Sequence, residues 1–235
     1  MPQLMIIKAL VQLLKGVILR VILLEKYKIG IQPQQLQNSN QILGAERSKP
    51  DQAAVVVKKR IIKEEEKKVQ MNKFDNPKTQ ISFNQIYMGS RDGFKAKDFH
   101  SRCDNKGPTV CFILSDSGNV FGGFVTKSWK SQYSWEGDIN AFIFSLTHRT
   151  IHPYYNQNNT AIKNDPNQSW NQGYGDISIK DRCNEVNSNT SWLGWSYALP
   201  HGFSFTETQS KTYLGGMINF KVLDIEVFQV LKKIS

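Results

Sequence analysis

The spacing of hydrophobic residues changes character near Phe74. Up to residue 71 the apolar positions recur at helical spacing, whereas beyond Phe74 they alternate with polar ones, as in β-strands. This pattern predicts one short helix over 94–103 and strands over 81–88, 109–116, 120–126, 140–146, 161–162, 176–180, 196–199, 213–217 and 220–230. Many short strands joined by turns predict a mainly β (α+β) domain, a two-sheet antiparallel β-sandwich with short flanking helices.

Local signals add detail to some of these elements. The sequence at 116–119 joins two apolar runs and predicts a β-hairpin. Gly122 and Gly123, inside the second strand of that hairpin, indicate a bulge or a close approach of another backbone. Residues 152–172 are rich in Asn and Gln and predict a long insertion with one short strand. In the last strand the apolar and the acidic residues are expected on opposite faces, the former being Leu223, Ile225 and Val227 and the latter Asp224 and Glu226.

The part of the chain before the folded domain has its own organisation. The expected order is an amphipathic basic helix over 1–28, a polar linker over 29–49, a charged helix over 50–71 and the folded domain over 72–235. Three cations in the apolar stretch 4–24 disfavour a membrane span, since each costs roughly 2.5–3.5 kcal/mol at the bilayer centre. The first helix is therefore expected to contact a membrane surface, a partner groove or an assembly, or to act as a mitochondrial-type presequence.

Charged and aromatic residues are distributed oppositely along the chain. Residues 1–80 contain 15 basic and 7 acidic residues, and residues 81–235 contain 15 and 13, so the folded part is nearly neutral. Of the 26 aromatic residues, only Tyr27 and Phe74 precede residue 81. This distribution excludes a uniformly basic nucleic-acid-binding domain, and no nucleic-acid partner is expected.

The sequence contains none of the common catalytic or cofactor-binding motifs. The phosphate-binding patterns GxxxxGK[ST] and GxGxxG are absent, as is the nucleophile turn GxSxG. His148 and His152 have the spacing of zinc ligands on a helix, but Pro153 follows directly and no Glu lies between them. Asp224 and Glu226 are interpreted as a solvated strand face and not as an acid–base pair. We therefore expect no enzyme activity, no metal and no cofactor.

The cysteines give no disulfide framework. Cys103, Cys111 and Cys183 are odd in number and scattered in spacing, which favours reduced thiols in the cytosol. Asp98, His100 and Cys103 lie on the predicted short helix but project in different directions, so surface positions are expected for them. Cys103 is a candidate redox-sensitive thiol on the condition that it is exposed.

Two tryptophans form a separate candidate feature. Trp192 and Trp195 lie on either side of Gly194 in a region with weak strand signals. Two interpretations stay open, a stacking platform and packing in the core, and core packing is the more common arrangement for such residues.

Several segments of the sequence are in register with the motifs of one known family. They are MGSRDGF from Met88, AKDFHSRCDNKGPTV from Ala96, NVFGGFVTKSW from Asn119, NAFIFSL from Asn140, GYGDISI from Gly173, LGWSYALP from Leu193 and NFKVLDIEVFQV from Asn219. Together they resemble the TLDc domain family. Their order and spacing fit over residues 72–232, and residues 1–70 are outside the resemblance. The wording DFHSRCDNKGPT, together with the Asn- and Gln-rich insertions, resembles versions of oxidation-resistance-type proteins from ciliates.

The resemblance implies both a fold and a role. It implies a two-sheet antiparallel β-sandwich without catalytic residues, a link to protection against oxidative stress, and docking on the vacuolar proton-pumping ATPase. One departure is the turn Gly173-Tyr174-Gly175, where the family usually has a Gly-Gly-rich turn that often contains His. The positions that match the family are interpreted first as backbone geometry and second as partner-facing: Gly89, Gly93, Gly122, Gly123, Gly173, Gly175 and Asp176.

The sequence is thus expected to encode a non-catalytic TLDc protein-interaction domain in the cytoplasm, with the vacuolar ATPase as its partner. The alternative is a structural component of a ciliary or mitochondrial assembly, anchored by the basic N-terminal segment. Residues 1–24 are also expected to be able to contact a membrane surface.

Overall fold

The structure is a computed structural model that describes residues 79–155 and 158–234. The helix predicted over 1–28, the linker over 29–49 and the charged helix over 50–71 lie outside these residues. The chain divides into two compact units, Met1–Ser82 with Lys232–Ser235, and Phe83–Leu231. The features below belong to the second unit, apart from the ends of its first and last strands.

The described residues form short strands and three short helices. The helices are α1 (Gly89–Asp92), α2 (Ala96–Cys103) and α3 (Thr208–Thr212). The strands are β1 (Thr79–Met88), β2 (Thr109–Ser115), β3 (Val120–Val125), β4 (Ser134–Glu136), β5 (Phe142–Ser145), β6 (Thr150–Pro153), β7 (Ile162–Asn164), β8 (Gln168–Gln172), β9 (Ile177–Lys180), β10 (Asn189–Thr190), β11 (Asn219–Phe220) and β12 (Val222–Ile234).

The strands form two six-stranded sheets. The first sheet has the order β1-β12-β2-β3-β5-β6, and the second has the order β11-β10-β9-β8-β7-β4. Neighbouring strands run antiparallel from β12 to β6 in the first sheet and throughout the second. The predicted fold class, mainly β with two antiparallel sheets and few helices, is confirmed.

The first sheet contains the continuous apolar runs of the sequence. Every residue of β2, β3 and β5 is buried, as expected for the segment 140–146. The core is completed by α2, where Phe99 makes edge-to-face contacts with Tyr87, Trp129 and Trp170 at centroid distances of 5.6 to 6.5 Å. Helix α2 therefore anchors one end of the core through a single large aromatic side chain.

The prediction of surface positions on α2 is wrong for His100 and Cys103, which are both buried. The histidine ring is satisfied inside the protein. Its Nδ1 lies 2.7 Å from the Asp104 carboxylate, and its Nε2 lies 3.0 Å from the backbone carbonyls of Asp165 and Gln168. Because these partners satisfy the polar ring, this face of α2 can be buried although its composition predicts exposure to solvent.

The polar insertion is more ordered than the sequence predicts. Residues 152–172 include the end of β6 and all of β7 and β8, in place of one two-residue strand. The reason is that several polar side chains in and between β7 and β8 are buried, which hides the apolar alternation of a strand. These residues are Asn164, Asp165, Ser169, Asn171 and Gln172.

Two predicted strands do not form, and the last one is displaced. Residues 213–217 follow α3 as a turn, and within 196–199 only Tyr197 makes an isolated bridge, to Tyr154. The register of β12 shifts between Val222 and Asp224. Val222 and Ile225 are therefore both buried, and Leu223, which was expected to face the core, is 36% exposed.

Candidate functional site

The glycine pair of β3 makes room for its neighbours. A Cβ atom on Gly122 would overlap the backbone carbonyl of Cys111 on β2, and one on Gly123 would overlap the Gln172 side chain on β8. Because the register between β2 and β3 is regular, the pair marks a close approach and not a bulge.

Gln172 links the two sheets by hydrogen bonds inside the core. Its Nε2 donates to the backbone carbonyls of Phe124 on β3 and Phe142 on β5, at 3.3 and 3.0 Å, and to the Tyr197 hydroxyl at 3.1 Å. Its Oε1 accepts from the Trp170 indole N–H at 3.1 Å. All of these groups are buried, so losing the amide would leave several polar atoms without a partner.

Asp176 fixes the loop that follows β10. Its buried carboxylate accepts four backbone hydrogen bonds of 2.9 to 3.3 Å, from the N–H groups of Gly194, Trp195, Ser196 and Tyr197. Burial raises the pKa of Asp176 to about 7, against the lowering effect of these four donors. The family-matching acid therefore holds four consecutive residues of the loop in one conformation.

The turn between β8 and β9 holds Tyr174 in solvent. Gly173 and Gly175 have φ angles of +74° and +126°, a region that favours glycine. A Cβ atom on Gly173 would also overlap the Asp176 carboxylate. Tyr174 is 56% exposed, and its backbone N–H donates to Ser196 Oγ at 3.1 Å. The chain thus turns tightly around Asp176 and leaves one aromatic ring outside.

Five aromatic side chains around this turn form a continuous row, which we call the aromatic surface. In order along the row, the rings are those of Trp135, Tyr174, Trp195, Phe205 and Trp192. Successive centroids lie 5.2, 5.4, 4.6 and 4.9 Å apart. Trp135 is 40% and Trp195 37% exposed, and Trp192 and Phe205 are half-buried. Trp192 and Trp195, the two candidate tryptophans of the sequence, are thus part of an outward-facing platform. The expectation that they pack in the core is wrong.

A lysine lies at each end of the aromatic surface. The Lys211 ammonium is 4.2 Å from the centroid of the Trp192 ring, a cation–π contact. At the other end, Lys163 is the direct cross-strand partner of Trp135, so both side chains are on one face of the sheet. Lys163 also pairs with Asp165 at 3.0 Å. The row therefore has a lysine at each end, in an ion pair at the Trp135 end and over a ring at the Trp192 end.

Sequence reasoning missed three members of the aromatic surface: Trp135, Tyr174 and Phe205. Tyr174 carried a usable signal, because a large aromatic residue between two glycines in a turn has no core to enter. Trp135 and Phe205 carried none, since their neighbours come from distant parts of the chain.

The other two family-matching glycines lie elsewhere. Gly89 begins α1, and Gly93 directly follows it, with φ +104°. The Tyr87 hydroxyl donates to the Gly93 carbonyl at 2.8 Å. These glycines shape the link between β1 and α2 and are not part of the aromatic surface.

The candidate thiol is placed in the core. Cys103 is fully buried, as are Cys111 and Cys183. Burial raises the pKa of the Cys103 thiol far above its ordinary value, and it raises that of Cys183 to about 12. A protonated, buried thiol reacts slowly with oxidants, because the thiolate is the nucleophile. The hypothesis of a redox-sensitive Cys103 required exposure, which the structure does not provide.

Two further polar clusters contain a histidine. Ser131 Oγ donates to the Asp104 carboxylate, which in turn binds His100, so the serine contacts the acid and not the base that a serine nucleophile needs. His152 is buried, with Nδ1 2.8 Å from the Ala198 carbonyl and Nε2 2.9 Å from Thr150 Oγ1. Within residues 79–155 and 158–234, no group of three or more His, Cys, Asp or Glu side chains is arranged to hold a metal ion.

No helix among the described residues has the length and apolar character needed to cross a membrane.

Comparison with known proteins agrees with the resemblance noted in the sequence. The family model of the TLDc domain matches residues 55–231, beginning within the segment for which a charged helix was predicted. The chain is 26% identical over 144 residues to the mTOR-associated protein MEAK7 of Danio rerio, and 33% identical over 128 residues to that of Xenopus laevis. These matches cover 55% and 54% of this chain but only 28% and 27% of the relatives, so the chain spans about a quarter of their length. Because the family model matches most of the chain, the chain belongs to the TLDc domain family.

Proposed function

We propose that this TLDc domain is a non-catalytic protein-interaction module that docks on a large complex through the aromatic surface. The observation that carries the proposal is a row of five touching rings, three of them more than one-third exposed, in which Trp195 lies on the loop that Asp176 holds. Soluble domains seldom expose contiguous aromatic area without a binding role.

The composition of the row supports this role. Trp and Tyr are enriched at protein interfaces and dominate their binding energy, because each buries a large area with few rotatable bonds. The loop is held by four hydrogen bonds to one buried carboxylate. A surface that is already ordered loses little conformational entropy when a partner binds.

For the partner, we propose the vacuolar proton-pumping ATPase in the cytoplasm, with a part in protection against oxidative stress. This proposal rests on the family's known associations. The relatives are named as mTOR-associated, which makes a complex containing mTOR the competing partner in any test.

A second candidate is a structural component of a ciliary or mitochondrial assembly. The observation that favours it is the charge of residues 1–80, with 15 basic and 7 acidic side chains. Such a segment can serve as an anchoring peptide that becomes ordered on a partner. Deletion of residues 1–48 would then release the protein from its assembly, whereas the pump-docking proposal predicts that pump subunits are still recovered.

The test is purification of the tagged full chain from native cells at low salt, with mass spectrometry of the eluate. Pump subunits recovered by the wild type and lost by Tyr174→Ala would support the proposal. Recovery of axonemal or mitochondrial proteins in their place would favour the structural role. Recovery of a complex containing mTOR without pump subunits would contradict the proposed partner, but it would still support a role in protein interaction.

A further inference from the structure

We propose that the aromatic surface binds an extended segment of its partner that is rich in proline and carries acidic residues. The inference rests on the proposed interaction role and specifies the chemistry of the partner. Three features of the surface lead to it: the donors at the ring edges, the charge of Lys211 at one end, and the ring faces that are already in contact with one another.

The rings present polar edges to solvent. Among the hydrogen bonds that the described residues form with one another, none uses the Tyr174 hydroxyl or the Trp135 indole N–H, and both side chains are exposed. A polyproline II segment has no internal hydrogen bonds, so its carbonyl oxygens are available as acceptors. Aromatic surfaces that combine flat apolar area with such donors are the usual docking sites for these segments.

Several ring faces are used within the row. Trp192 stacks on Phe205 with an interplanar angle of 6°, and its other face carries the Lys211 ammonium. Trp135 and Tyr174 are stacked at 18°. Nucleobases bind by inserting between or stacking on free ring faces. The arrangement therefore favours a ligand that lies along the row over one that stacks into it.

Charge complementarity selects an acidic segment. Lys211 lies at the Trp192 end, and none of the ion pairs among the described residues includes it. Lys163 at the Trp135 end is already paired with Asp165, so the attraction for an acidic segment comes from Lys211. Since residues 81–235 carry 15 basic and 13 acidic side chains, this preference is local to the surface and not a property of the whole domain.

The experiment measures fluorescence anisotropy of labelled twelve-residue peptides with the full chain. The probes are repeats of Pro-Pro-Glu, of Pro-Pro-Lys and of Gly-Ser-Glu, and a dT oligonucleotide of the same length. The proposal predicts that the Pro-Pro-Glu peptide binds, and that the other three probes bind at least about tenfold more weakly. Equal affinity for Pro-Pro-Lys or Gly-Ser-Glu would overturn it, as would tighter binding of the oligonucleotide.

Matched variants assign the binding to this surface. Tyr174→Ala is expected to weaken binding of the Pro-Pro-Glu peptide at least about tenfold, and Tyr174→Phe, which removes only the hydroxyl, to weaken it less. Lys211→Glu is expected to weaken it and to improve binding of the Pro-Pro-Lys peptide. The exposed controls Met217→Ala and Lys106→Glu should leave both affinities unchanged. Unchanged affinity in Tyr174→Ala would overturn the assignment.

The two proposals fail in distinguishable ways. If the purified wild type recovers a complex and so does Tyr174→Ala, the interaction role holds and the aromatic surface is not its site. If Tyr174→Ala loses the complex but no Pro-Pro-Glu peptide binds, the surface is the site and the proposed chemistry of the segment is wrong.

Discussion

The two sheets of this domain are stabilised in different ways. In the first sheet, β2, β3 and β5 are buried at every position and are mostly apolar, with Phe121 fully buried against Phe220 at 5.7 Å. In the second sheet, β7 and β8 bury amides and hydroxyls, and Gln172 alone makes hydrogen bonds to four groups. Burial of apolar area stabilises the first sheet, whereas the second also depends on buried side-chain hydrogen bonds, above all those of Gln172.

The difference shows where an interaction surface can be placed. Apolar packing tolerates many alternatives of similar volume, whereas buried hydrogen bonds require one geometry. Two parts of the aromatic surface, the Tyr174 turn and the Trp195 loop, are held by hydrogen bonds to the Ser196 hydroxyl and to Asp176. The exposed rings of Tyr174 and Trp195 thus lie in segments whose conformation is fixed by hydrogen bonds.

The largest expected effect tests the apolar sheet. Phe121→Ala removes a fully buried ring and leaves a cavity, so it should lower the free energy of unfolding by about 3–5 kcal/mol. Urea unfolding followed by tryptophan fluorescence measures the change. Leu223→Ala is the control, because Leu223 is 36% exposed beside the register shift. A similar loss in the control would show that the shift does not turn Leu223 outward.

The second prediction tests the polar sheet. Gln172→Leu keeps the volume and adds apolar area, but it leaves the Trp170 N–H and the carbonyls of Phe124 and Phe142 without their partner. The free energy of unfolding should fall by about 3 kcal/mol. The exposed Gln209→Leu should change it little. A Gln172→Leu variant as stable as the wild type would contradict the claim that buried hydrogen bonds stabilise the second sheet.

The third prediction uses pH to examine Asp176. In the unfolded chain its carboxyl has the ordinary pKa of 3.8, and burial raises the pKa to about 7 in the fold. The folded state thus binds the proton more tightly, and this stabilisation, complete below pH 3.8, is lost as the pH rises through 7. Asp176→Asn removes the titration.

Between pH 4 and 7, the wild type should therefore lose stability relative to Asp176→Asn, by up to about 1 kcal/mol per pH unit. Chemical denaturation at several pH values measures the difference between the two proteins, which cancels the groups that they share. A difference that is constant with pH, or that grows in favour of the wild type, would contradict the prediction. It would mean that hydrogen bonds from the N–H groups of 194–197 lower the pKa of Asp176 at least as much as burial raises it.

The smallest effect concerns the thiols. All three cysteines are buried in the core, and the pKa of each is raised by burial. A thiol reagent added to the native protein at neutral pH should label them only slowly, and denaturant should release all three. Rapid labelling of one thiol in the native state, lost in Cys103→Ala, would restore the redox hypothesis.

The sequence predicted the apolar part of the fold and little of the polar part. The hairpin β2–β3 and the segment around β5 were found because their apolar runs are continuous and bounded by turns. The sequence did not predict strand β8, because polar residues such as Ser169, Asn171 and Gln172 are typical of a loop. Only the structure shows that they are buried. The pattern of a strand depends on side chains being apolar where they are buried, and this sheet departs from that rule.

The candidate site was predicted only in part, for a similar reason. The glycines Gly173 and Gly175 and the acid Asp176 were identified as family positions, and the structure adds that they shape the support of the aromatic surface. Trp135 stacks on Tyr174 from 39 residues earlier in the chain, and Phe205 contacts Trp195 from 10 residues later. The place of Trp135 is set by the pairing of β4 with β7, which local patterns do not specify.

The most direct test of the central claim is co-purification of the full chain from native cells, with the wild type, Tyr174→Ala and Met217→Ala compared in parallel. All three should be folded, because both substituted side chains are more than half exposed. We expect the wild type and Met217→Ala to recover the same complex and Tyr174→Ala to lose it. Equal recovery by all three would show that the aromatic surface is not where this domain meets its partner.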